Sequence, residues 1–520
     1  MMHMKSTFYS LLLFFPGLAI AQEMDQAAIA KIRKEGLENS KVAEIAHQLT
    51  DVSGPRLTNS PGFQRAADWS VSELKKWGLQ NARLEEWGEF GKGWQVEKSY
   101  LAMTKPYYMP FIAIPKAWTS GTSGLISGEV VVVDIQNEED LKKYADGKLD
   151  GKIVLTKGNA STDPSFTPDA KRYTAEELDK MTNSVPFGQS NFTPEQVERM
   201  QAMRSFRSRV DSTLKSQKVK LELAGRMGKH GTFFTSNGAS FRGNAPLAGP
   251  AFELAPEHAG LVARLVEDGI PVTLEAESAT AFFDKKLTTG NVIAEIPGTD
   301  PKLKDEIVML GGHLDSWHSA TGATDNAAGC TVMMEAVRIL QTAGLKPRRT
   351  IRIALWSGEE QGLYGSRFYV KNTFGDMETM KLLPAHEKLS AYYNIDNGTG
   401  RIRGIYLQGN EGVRPIFEKW LNGFSDIIDH PTVTSRITGG TDHLAFDALG
   451  LPGFQFIQDG IEYGTRTHHT NADTYERLVM DDLKQMAVVV AAFVYNTAQM
   501  DQKLPRKPMP APRPQPGSKR

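Results

Sequence analysis

From Asn291 onward, short apolar runs alternate with amphipathic or polar segments along the chain. The runs NVIAEI, EIVML, TIRIALW, AYYNI and PGFQFI have the length of strands and are rich in β-branched and aromatic residues. Segments such as NAAGCTVMMEAVRIL lie between them and repeat apolar residues at helical spacing. This alternation predicts an α/β fold with a mixed, largely parallel central sheet and helices on both faces.

Two changes of texture divide the preceding part of the chain. Residues 22–118 are charged and mostly helical in pattern, and FQRAADWSVSELKKWG is an amphipathic helix closed by a glycine. From residue 119 the chain carries short strands such as EVVVVD and GKIVLTKG, interrupted by a polar, helix-rich segment at 163–225. We therefore predict that residues 22–118 and 279–502 form one domain, into which residues 119–278 are inserted as a smaller β-rich domain.

The two ends of the chain differ from the rest. Residues 1–21 contain one lysine, a short apolar stretch and a small-x-small site, which is the pattern of a cleaved secretory signal, with a buried N-terminal helix as the alternative. We therefore expect an exported protein, periplasmic or extracellular, with no transmembrane segment after cleavage; the run MAVVVAAFVY is too short to span a bilayer. Residues 503–520 are Pro-rich and basic, which predicts a disordered tail, with a surface or peptide-module contact as the alternative.

Charge and cysteine usage narrow the classes of function. The chain has 60 Lys and Arg against 61 Asp and Glu, a net charge of −1, which gives no general attraction to nucleic acid. Its one cysteine, Cys330, excludes an internal disulfide and lies at an apolar helical position, where we interpret it as a small buried hydrophobe rather than a nucleophile. Local clusters of side chains must therefore carry the function.

Side chains that can bind a metal or accept a proton follow four of the five apolar runs. In open α/β sheets, ligands bind at the carboxyl ends of the strands, so these side chains are expected to meet at one edge of the sheet. A core tolerates so many carboxylates only if cations compensate them. One further candidate, Asp325, lies at the start of the helix NAAGCTVMMEAVRIL. The full set of candidates is His313, Asp315, Asp325, Glu359, Glu360, Asp396, His468 and His469.

Five ligands of this kind, two imidazoles and three carboxylates, suit a pair of Zn²⁺ ions that share one bridging carboxylate. Co²⁺ or Mn²⁺ would fit similar ligands. Such a pair acidifies a shared water and stabilises the oxyanion that forms when the water attacks a carbonyl. A further carboxylate must take the proton of that water, and adjacent glutamates can divide the two tasks between them. The sequence therefore predicts a hydrolase with two metals.

Six motifs then give a family resemblance. GGHLDSW, GATDNAAG, WSGEEQGLYGS, NIDNGTG, GGTDHLAF and HTNADT resemble the motif series of the two-zinc exopeptidases of metallopeptidase family twenty-eight, and SGPRL, HLDSW and LWSGEEQG are most similar to its carboxypeptidase Q type. The resemblance covers Ser53 to Leu57 and nearly everything from Asn291 to Ala498. LDGKIVLTKG and GLVARLVEDGIPVTL in the inserted region resemble a protease-associated domain, which would restrict access to the metals.

The resemblance implies a role for each candidate. One zinc would be held by His313 and Asp396, the other by Glu360 and His469, and Asp325 would bridge the two ions. Glu359 would be the general base.

Three further roles concern the surroundings of the metals. Asp315 would orient His313 through its second ring nitrogen, and Asp473 would support the loop of His469 in the same way. His443 would face the substrate pocket or, equally, be structural. The resemblance also implies a cis peptide bond between Asp325 and Asn326, and its register selects His469 rather than His468 as the ligand.

The expected activity is that of an aminopeptidase or dipeptidase acting on small peptides. A carboxypeptidase of the same family is the first alternative. A glutaminyl cyclase with a single zinc and a binding protein without activity are the others, although both would be expected to lose ligand positions and none is missing here. The oligomeric state stays open, with a homodimer among the alternatives.

Overall fold

The computed structural model describes residues 23–144, 146–158, 160–184, 193–225 and 227–511. The signal segment predicted at 1–21 lies outside the described residues. The strands are β1 (Gln80–Glu89), β2 (Gly93–Lys105), β3 (Met109–Pro110), β4 (Ala113–Pro115), β5 (Ile126–Val133), β6 (Ile153–Thr156), β7 (Leu221–Ala224), β8 (Ala251–Leu254), β9 (Thr273–Phe283), β10 (Thr288–Ile296), β11 (Ile307–His313), β12 (Thr350–Trp356), β13 (Gly375–Asp376), β14 (Lys381–Leu382), β15 (Leu389–Asn394), β16 (Ile402–Tyr406), β17 (Thr432–Thr434) and β18 (Gly453–Gln458). The α-helices are α1 (Gln26–Glu38), α2 (Val42–His47), α3 (Pro61–Lys76), α4 (Glu138–Lys143), α5 (Ala175–Thr182), α6 (Pro194–Ser216), α7 (Pro256–Glu267), α8 (Ala328–Thr342), α9 (Tyr364–Thr373), α10 (Arg414–Asn422), α11 (His443–Asp447) and α12 (Met480–Gln499).

The central sheet has eight strands in the order β1-β10-β12-β11-β15-β18-β16-β17. Its middle strands β12, β11, β15 and β18 run parallel, whereas β10 pairs antiparallel with β12 and β16 pairs antiparallel with β18. All five apolar runs are strands of this sheet, namely β10, β11, β12, β15 and β18. The predicted mixed, largely parallel α/β sheet is therefore confirmed.

Helices cover both faces of the central sheet because its strands are apolar on both sides. Val308 and Leu310 of β11 join the cluster formed with α1, α8 and α12, whereas Met309 between them joins the cluster formed with α9 and α11. The run MAVVVAAFVY is buried within α12. None of the described helices is long and apolar enough to cross a membrane.

A second sheet of eight strands has the order β3-β2-β9-β5-β6-β7-β8-β4. It begins earlier and ends later than the predicted inserted region of 119–278. The reason is a long antiparallel ladder between β2 and β9, which pairs Gly93 with Phe283 at one end and Lys105 with Thr273 at the other. The strands that enter and leave the second sheet are thus part of it, and the boundary at residue 119 is wrong by more than twenty residues.

Part of the polar 163–225 segment contacts the first domain rather than the second sheet. The Arg172 guanidinium donates to the buried carboxylates of Asp459 at 2.9 Å and Asp482 at 2.6 Å. Asp459 also accepts from Arg403 at 3.1 Å. These ion pairs hold the chain just before α5 against the end of β18.

The tail is ordered where the structure describes it. Leu504 is 2% exposed, and Arg506 donates to the carbonyl oxygens of His386 at 2.8 Å and Leu389 at 2.9 Å. The prediction of a disordered tail is therefore wrong for residues 503–511. Residues 512–520 lie outside the described part of the chain.

Candidate metal centre

The metal-ligand candidates are delivered by the carboxyl ends of parallel strands, as expected from the topology. His313 ends β11, and a wide helical turn over Ala323–Ala327 places Asp325 ahead of α8. Glu359 and Glu360 follow β12, Asp396 follows β15, and His469 lies in the loop after β18. The peptide bond between Asp325 and Asn326 is cis, which confirms that expectation.

The side chains form two groups joined by Asp325. In the His313 group, His313 Nε2 lies 3.2 Å from Asp396 Oδ1 and 3.3 Å from Asp325 Oδ1. In the His469 group, His469 Nε2 lies 2.8 Å from Glu360 Oε2 and 3.2 Å from Asp325 Oδ2. The two oxygens of Asp325 therefore face different histidines, which is the arrangement of a carboxylate that bridges two cations.

The donor set fits metal ions better than it fits internal hydrogen bonds. Asp325 Oδ2 and both carboxylate oxygens of Glu360 are buried, and none of them has a hydrogen-bond partner among the described residues. Glu360 Oε2 lies near His469 Nε2, but their geometry is not that of a hydrogen bond. Buried carboxylate oxygens without donors are costly unless a cation compensates them.

The electrostatics of the two groups show the same need for positive charge. Burial raises the pKa of Glu360 to about 7, against the lowering effect of His469. Burial by itself lowers the pKa of His469, but the charges of Glu360 and Asp325 outweigh it and raise that pKa to about 11. Burial also raises the pKa of Glu359 well above its usual value, with Asp396 and Glu360 adding to the shift. Without metal ions, these imidazoles would have to carry the compensating charge themselves.

Residues 291–494 match the family model described as Peptidase family M28. This part of the chain is an M28 metallopeptidase domain. Over 488 residues, which cover 92% of this chain and 90% of that protein, the chain is 25% identical to mouse carboxypeptidase Q.

Solved structures share the fold over most of the chain. A peptidase M28 precursor from Shewanella amazonensis SB2B has a TM-score of 0.64 at 23% identity, over 94% of this chain and 99% of that chain. A zinc aminopeptidase from Bacillus subtilis has a TM-score of 0.56 at 18% identity, over 89% of this chain and 96% of that chain. The M28 domain and the second sheet thus occur together in a known architecture.

Asp315 supports the M28 site differently from the predicted way. His313 Nδ1–H donates to the backbone carbonyl of Asp315 at 2.9 Å, whereas the nearest oxygen of the Asp315 carboxylate is 3.8 Å away. The carboxylate instead accepts from the backbone N–H of Glu359 at 3.2 Å, that of Glu360 at 3.3 Å and the hydroxyl of Thr58 at 2.9 Å. The carbonyl fixes the imidazole and leaves Nε2 free for a metal, while the carboxylate fixes the Glu359–Glu360 turn.

Asp473 also has partners other than those predicted. Its carboxylate accepts from the backbone N–H of Thr324 at 2.6 Å and of Asp325 at 3.1 Å. It therefore connects the His469 loop to the bridging Asp325 rather than to His469 itself. Burial raises the pKa of Asp473 to about 7, and the charge of Asp325 adds to the shift.

His443 begins α11 and is fully buried. Its Nε2–H donates to the Thr438 carbonyl at 3.2 Å, and burial lowers its pKa to about 4, so it is neutral. The small cavity beside the metal-ligand candidates is lined by other residues, including Trp317, Ser319 and Thr470. A role for His443 towards substrate stays a prediction.

The sequence analysis missed one supporting residue, Arg56, and considered a neighbouring one, His468, without choosing it as a ligand. Arg56, in the quoted SGPRL motif, is fully buried and donates to the carbonyls of Leu314 at 2.7 Å and Gly322 at 2.9 Å, which brace the chain between His313 and Asp325. His468, set aside by register, has a ring nitrogen within 4.8 Å of the ligand atoms of Asp325 and His469. The signal for Arg56 in the sequence was its place in the SGPRL motif, one of the motifs that carry the family resemblance.

Proposed function

We propose that this protein is an exported two-zinc exopeptidase that hydrolyses short peptides at a peptide bond near a free terminus, as an aminopeptidase or dipeptidase. The observation that carries the proposal is the pair of histidine and carboxylate groups that share Asp325. The names of the similar proteins support it, since they include a zinc aminopeptidase and carboxypeptidase Q. The pattern of residues 1–21 supports export.

The ligands of the proposed ions come from both groups. His313 and Asp396 would hold one zinc, Glu360 and His469 the other, and Asp325 both. When bound, the two zinc ions would polarise the scissile carbonyl and lower the pKa of the attacking water. The His313 Nδ1–H bond to the Asp315 carbonyl keeps the imidazole in the tautomer whose Nε2 can bind metal.

Glu359 is the proposed general base. Its carboxylate takes one proton from the attacking water while the water oxygen bonds to the carbonyl carbon. The same proton then passes from Glu359 to the amine nitrogen as the carbon–nitrogen bond breaks. Burial raises the pKa of Glu359, so its ionised carboxylate is a stronger proton acceptor than an exposed one.

The similar proteins include a zinc aminopeptidase and carboxypeptidase Q, and we propose cleavage near the amino terminus, as by the first. Carboxypeptidase of the same family is the second candidate, favoured by the 25% identity to mouse carboxypeptidase Q over most of both chains. The second sheet would act as a protease-associated domain that restricts access to the metals, so that short or unfolded peptides reach them and folded proteins do not. The protein would work as a monomer or a homodimer.

The test measures bound metal and hydrolysis for the wild type and for Glu359→Gln. We expect about two zinc ions per chain, cleavage of free dipeptides and aminoacyl anilides, and no cleavage of N-blocked peptides. The variant should retain the metal and lose at least about 100-fold in kcat, because a neutral amide cannot accept the proton.

Each other outcome has a definite meaning. Cleavage of N-blocked peptides with a free carboxyl end would assign the carboxypeptidase. One zinc with cyclisation of an N-terminal glutaminyl peptide would assign the cyclase, and a protein without metal or activity would leave only a binding function. Full activity of Glu359→Gln would contradict the role of Glu359.

A further inference from the structure

His469 has a backbone conformation that is uncommon for a residue other than glycine. Its φ of 59° lies in the left-handed region, which residues other than glycine rarely adopt. Its side chain must nevertheless place Nε2 between Glu360 Oε2 and Asp325 Oδ2. A ligand in this position needs contacts that fix its main chain as well as its ring.

The main-chain contact comes from the region inserted before the M28 domain. Thr235 N–H donates to the His469 carbonyl at 2.7 Å, and Phe234 forms an antiparallel bridge with Thr470. We call residues 231–236 the crossing segment, because they lie against the His469 loop from outside the M28 domain.

Asn471, in the same loop as His469, makes two further bonds to the crossing segment. Its Oδ1 accepts from the Phe233 N–H at 3.0 Å, and its Nδ2–H donates to the Gly231 carbonyl at 3.2 Å. A single side chain thus pairs with a donor and an acceptor of the crossing segment. Because Asn471 both accepts and donates, the two bonds fix the distance and the register between the crossing segment and the His469 loop.

The ring of His469 is held by aromatic side chains. The Phe234 ring centroid lies 5.0 Å from that of His469 and 6.1 Å from that of His468, and Trp317 approaches His469 at 6.0 Å. Phe234 belongs to the crossing segment, whereas Trp317 belongs to the M28 domain. The imidazole therefore rests against both parts of the chain.

The crossing segment is in turn anchored to the inserted region. Gly231 N–H donates to Glu257 Oε1, in the first turn of α7, at 3.2 Å. Just beyond the segment, Asn237 bridges Ala117, and Gly238 N–H donates to the Ala117 carbonyl at 2.9 Å. The contacts to the His469 loop thus have a fixed base.

We propose that the crossing segment positions His469 for metal binding, so that the His469 group is completed by the inserted region and the His313 group is not. Phe234, Thr235 and Asn471 are positioning residues in this proposal, and none of them lines the small cavity beside the metal-ligand candidates. The inference rests on the proposed two-metal function and assigns the inserted region a part in metal affinity beside any part in access.

The test titrates Co²⁺ into metal-free protein and follows the visible absorption of each bound ion. In the wild type, two ions should bind per chain. Asn471→Ala should leave the first ion unchanged and weaken the second about 10- to 100-fold, which is the effect expected for loss of contacts that orient a ligand. Asn471→Asp retains the acceptor for Phe233 N–H, so its affinity for the second ion should lie between those of the wild type and Asn471→Ala. Phe234→Ala should weaken the binding of the same ion.

The matched control is Asn237→Ala. Asn237 is exposed, and among the described residues its side chain bonds only to the Ala239 carbonyl, at 3.4 Å, within the inserted region. This variant should bind both ions like the wild type. The proposal is overturned if Asn471→Ala and Phe234→Ala both keep wild-type affinity for two ions, or if Asn237→Ala weakens the second ion as much as they do. A wild type that binds fewer than two ions would overturn the proposed function as well, which separates the two failures.

Discussion

Single residues of this site show what sequence spacing can and cannot specify. The family resemblance implied that Asp315 orients His313, and it does, but through its backbone carbonyl rather than its carboxylate. The carboxylate is used 44 residues further along the chain, at the backbone of Glu359. Spacing identifies which residues are neighbours at a strand end, whereas the choice of atom depends on how the next strand end packs beside it.

Asp315→Asn tests this assignment. An amide offers one acceptor oxygen and an NH₂ group that repels a backbone N–H, so at least one of the bonds to Glu359 and Glu360 is lost. We expect kcat to fall about 10- to 100-fold with two zinc ions still bound. Steady-state kinetics and metal analysis measure both quantities.

Asp300→Asn is the matched control, because Asp300 also accepts two backbone N–H bonds, from Lys302 and Leu303, in a turn before β11. It should retain wild-type kcat. Loss of metal in Asp315→Asn, with kcat per bound zinc unchanged, would show that Asp315 acts through His313 instead.

At the scale of elements, apolar patterning predicted the five strands of the central sheet and the burial of α12. It also predicted which side chains meet, because parallel strands deliver their ends to one edge. It failed where partners are distant in sequence and carry no pattern of their own. β2 joins the second sheet through pairing with β9, and the crossing segment approaches Thr470 from more than 230 residues away. The prediction of a disordered tail failed for another reason: the burial of one residue, Leu504, outweighs the effect of the Pro-rich composition around it.

Leu504→Ala tests the anchoring of the tail. Leu504 is 2% exposed within the main core cluster, so the cavity left by truncation should lower the free energy of unfolding of the M28 domain by about 2–5 kcal/mol. Urea denaturation followed by tryptophan fluorescence measures it. Met509→Ala, in the same tail but 49% exposed, should change the stability by less than about 1 kcal/mol. Equal effects of the two substitutions would mean that the tail is not packed through Leu504.

At the scale of the whole molecule, the M28 domain and the second sheet are joined next to the metal site. His318 follows the GGHLDSW motif, is 6% exposed, and donates from Nε2 to the carbonyl of Pro115, the last residue of β4, at 2.8 Å. The centroids of its ring and the ring of Trp94, in β2, are 4.9 Å apart, and the two rings are nearly perpendicular. The same short stretch of chain thus carries His313 and a contact to the other sheet, which makes the junction part of the site's support.

This junction should be sensitive to acid. Burial lowers the pKa of His318 from 6.5 to about 4, so the folded protein keeps the ring neutral while the unfolded chain protonates it. The unfolded state therefore binds more protons between pH 6.5 and pH 4, and the folded state loses stability as the pH falls through that range. Two and a half pKa units correspond to about 3 kcal/mol. His318→Gln keeps a donor for Pro115 and removes the titration, so its stability relative to the wild type should improve by up to about 3 kcal/mol between pH 7 and pH 4, measured by urea denaturation at both values. A difference between the two proteins that is the same at pH 7 and pH 4 would show that the buried ring of His318 does not oppose protonation.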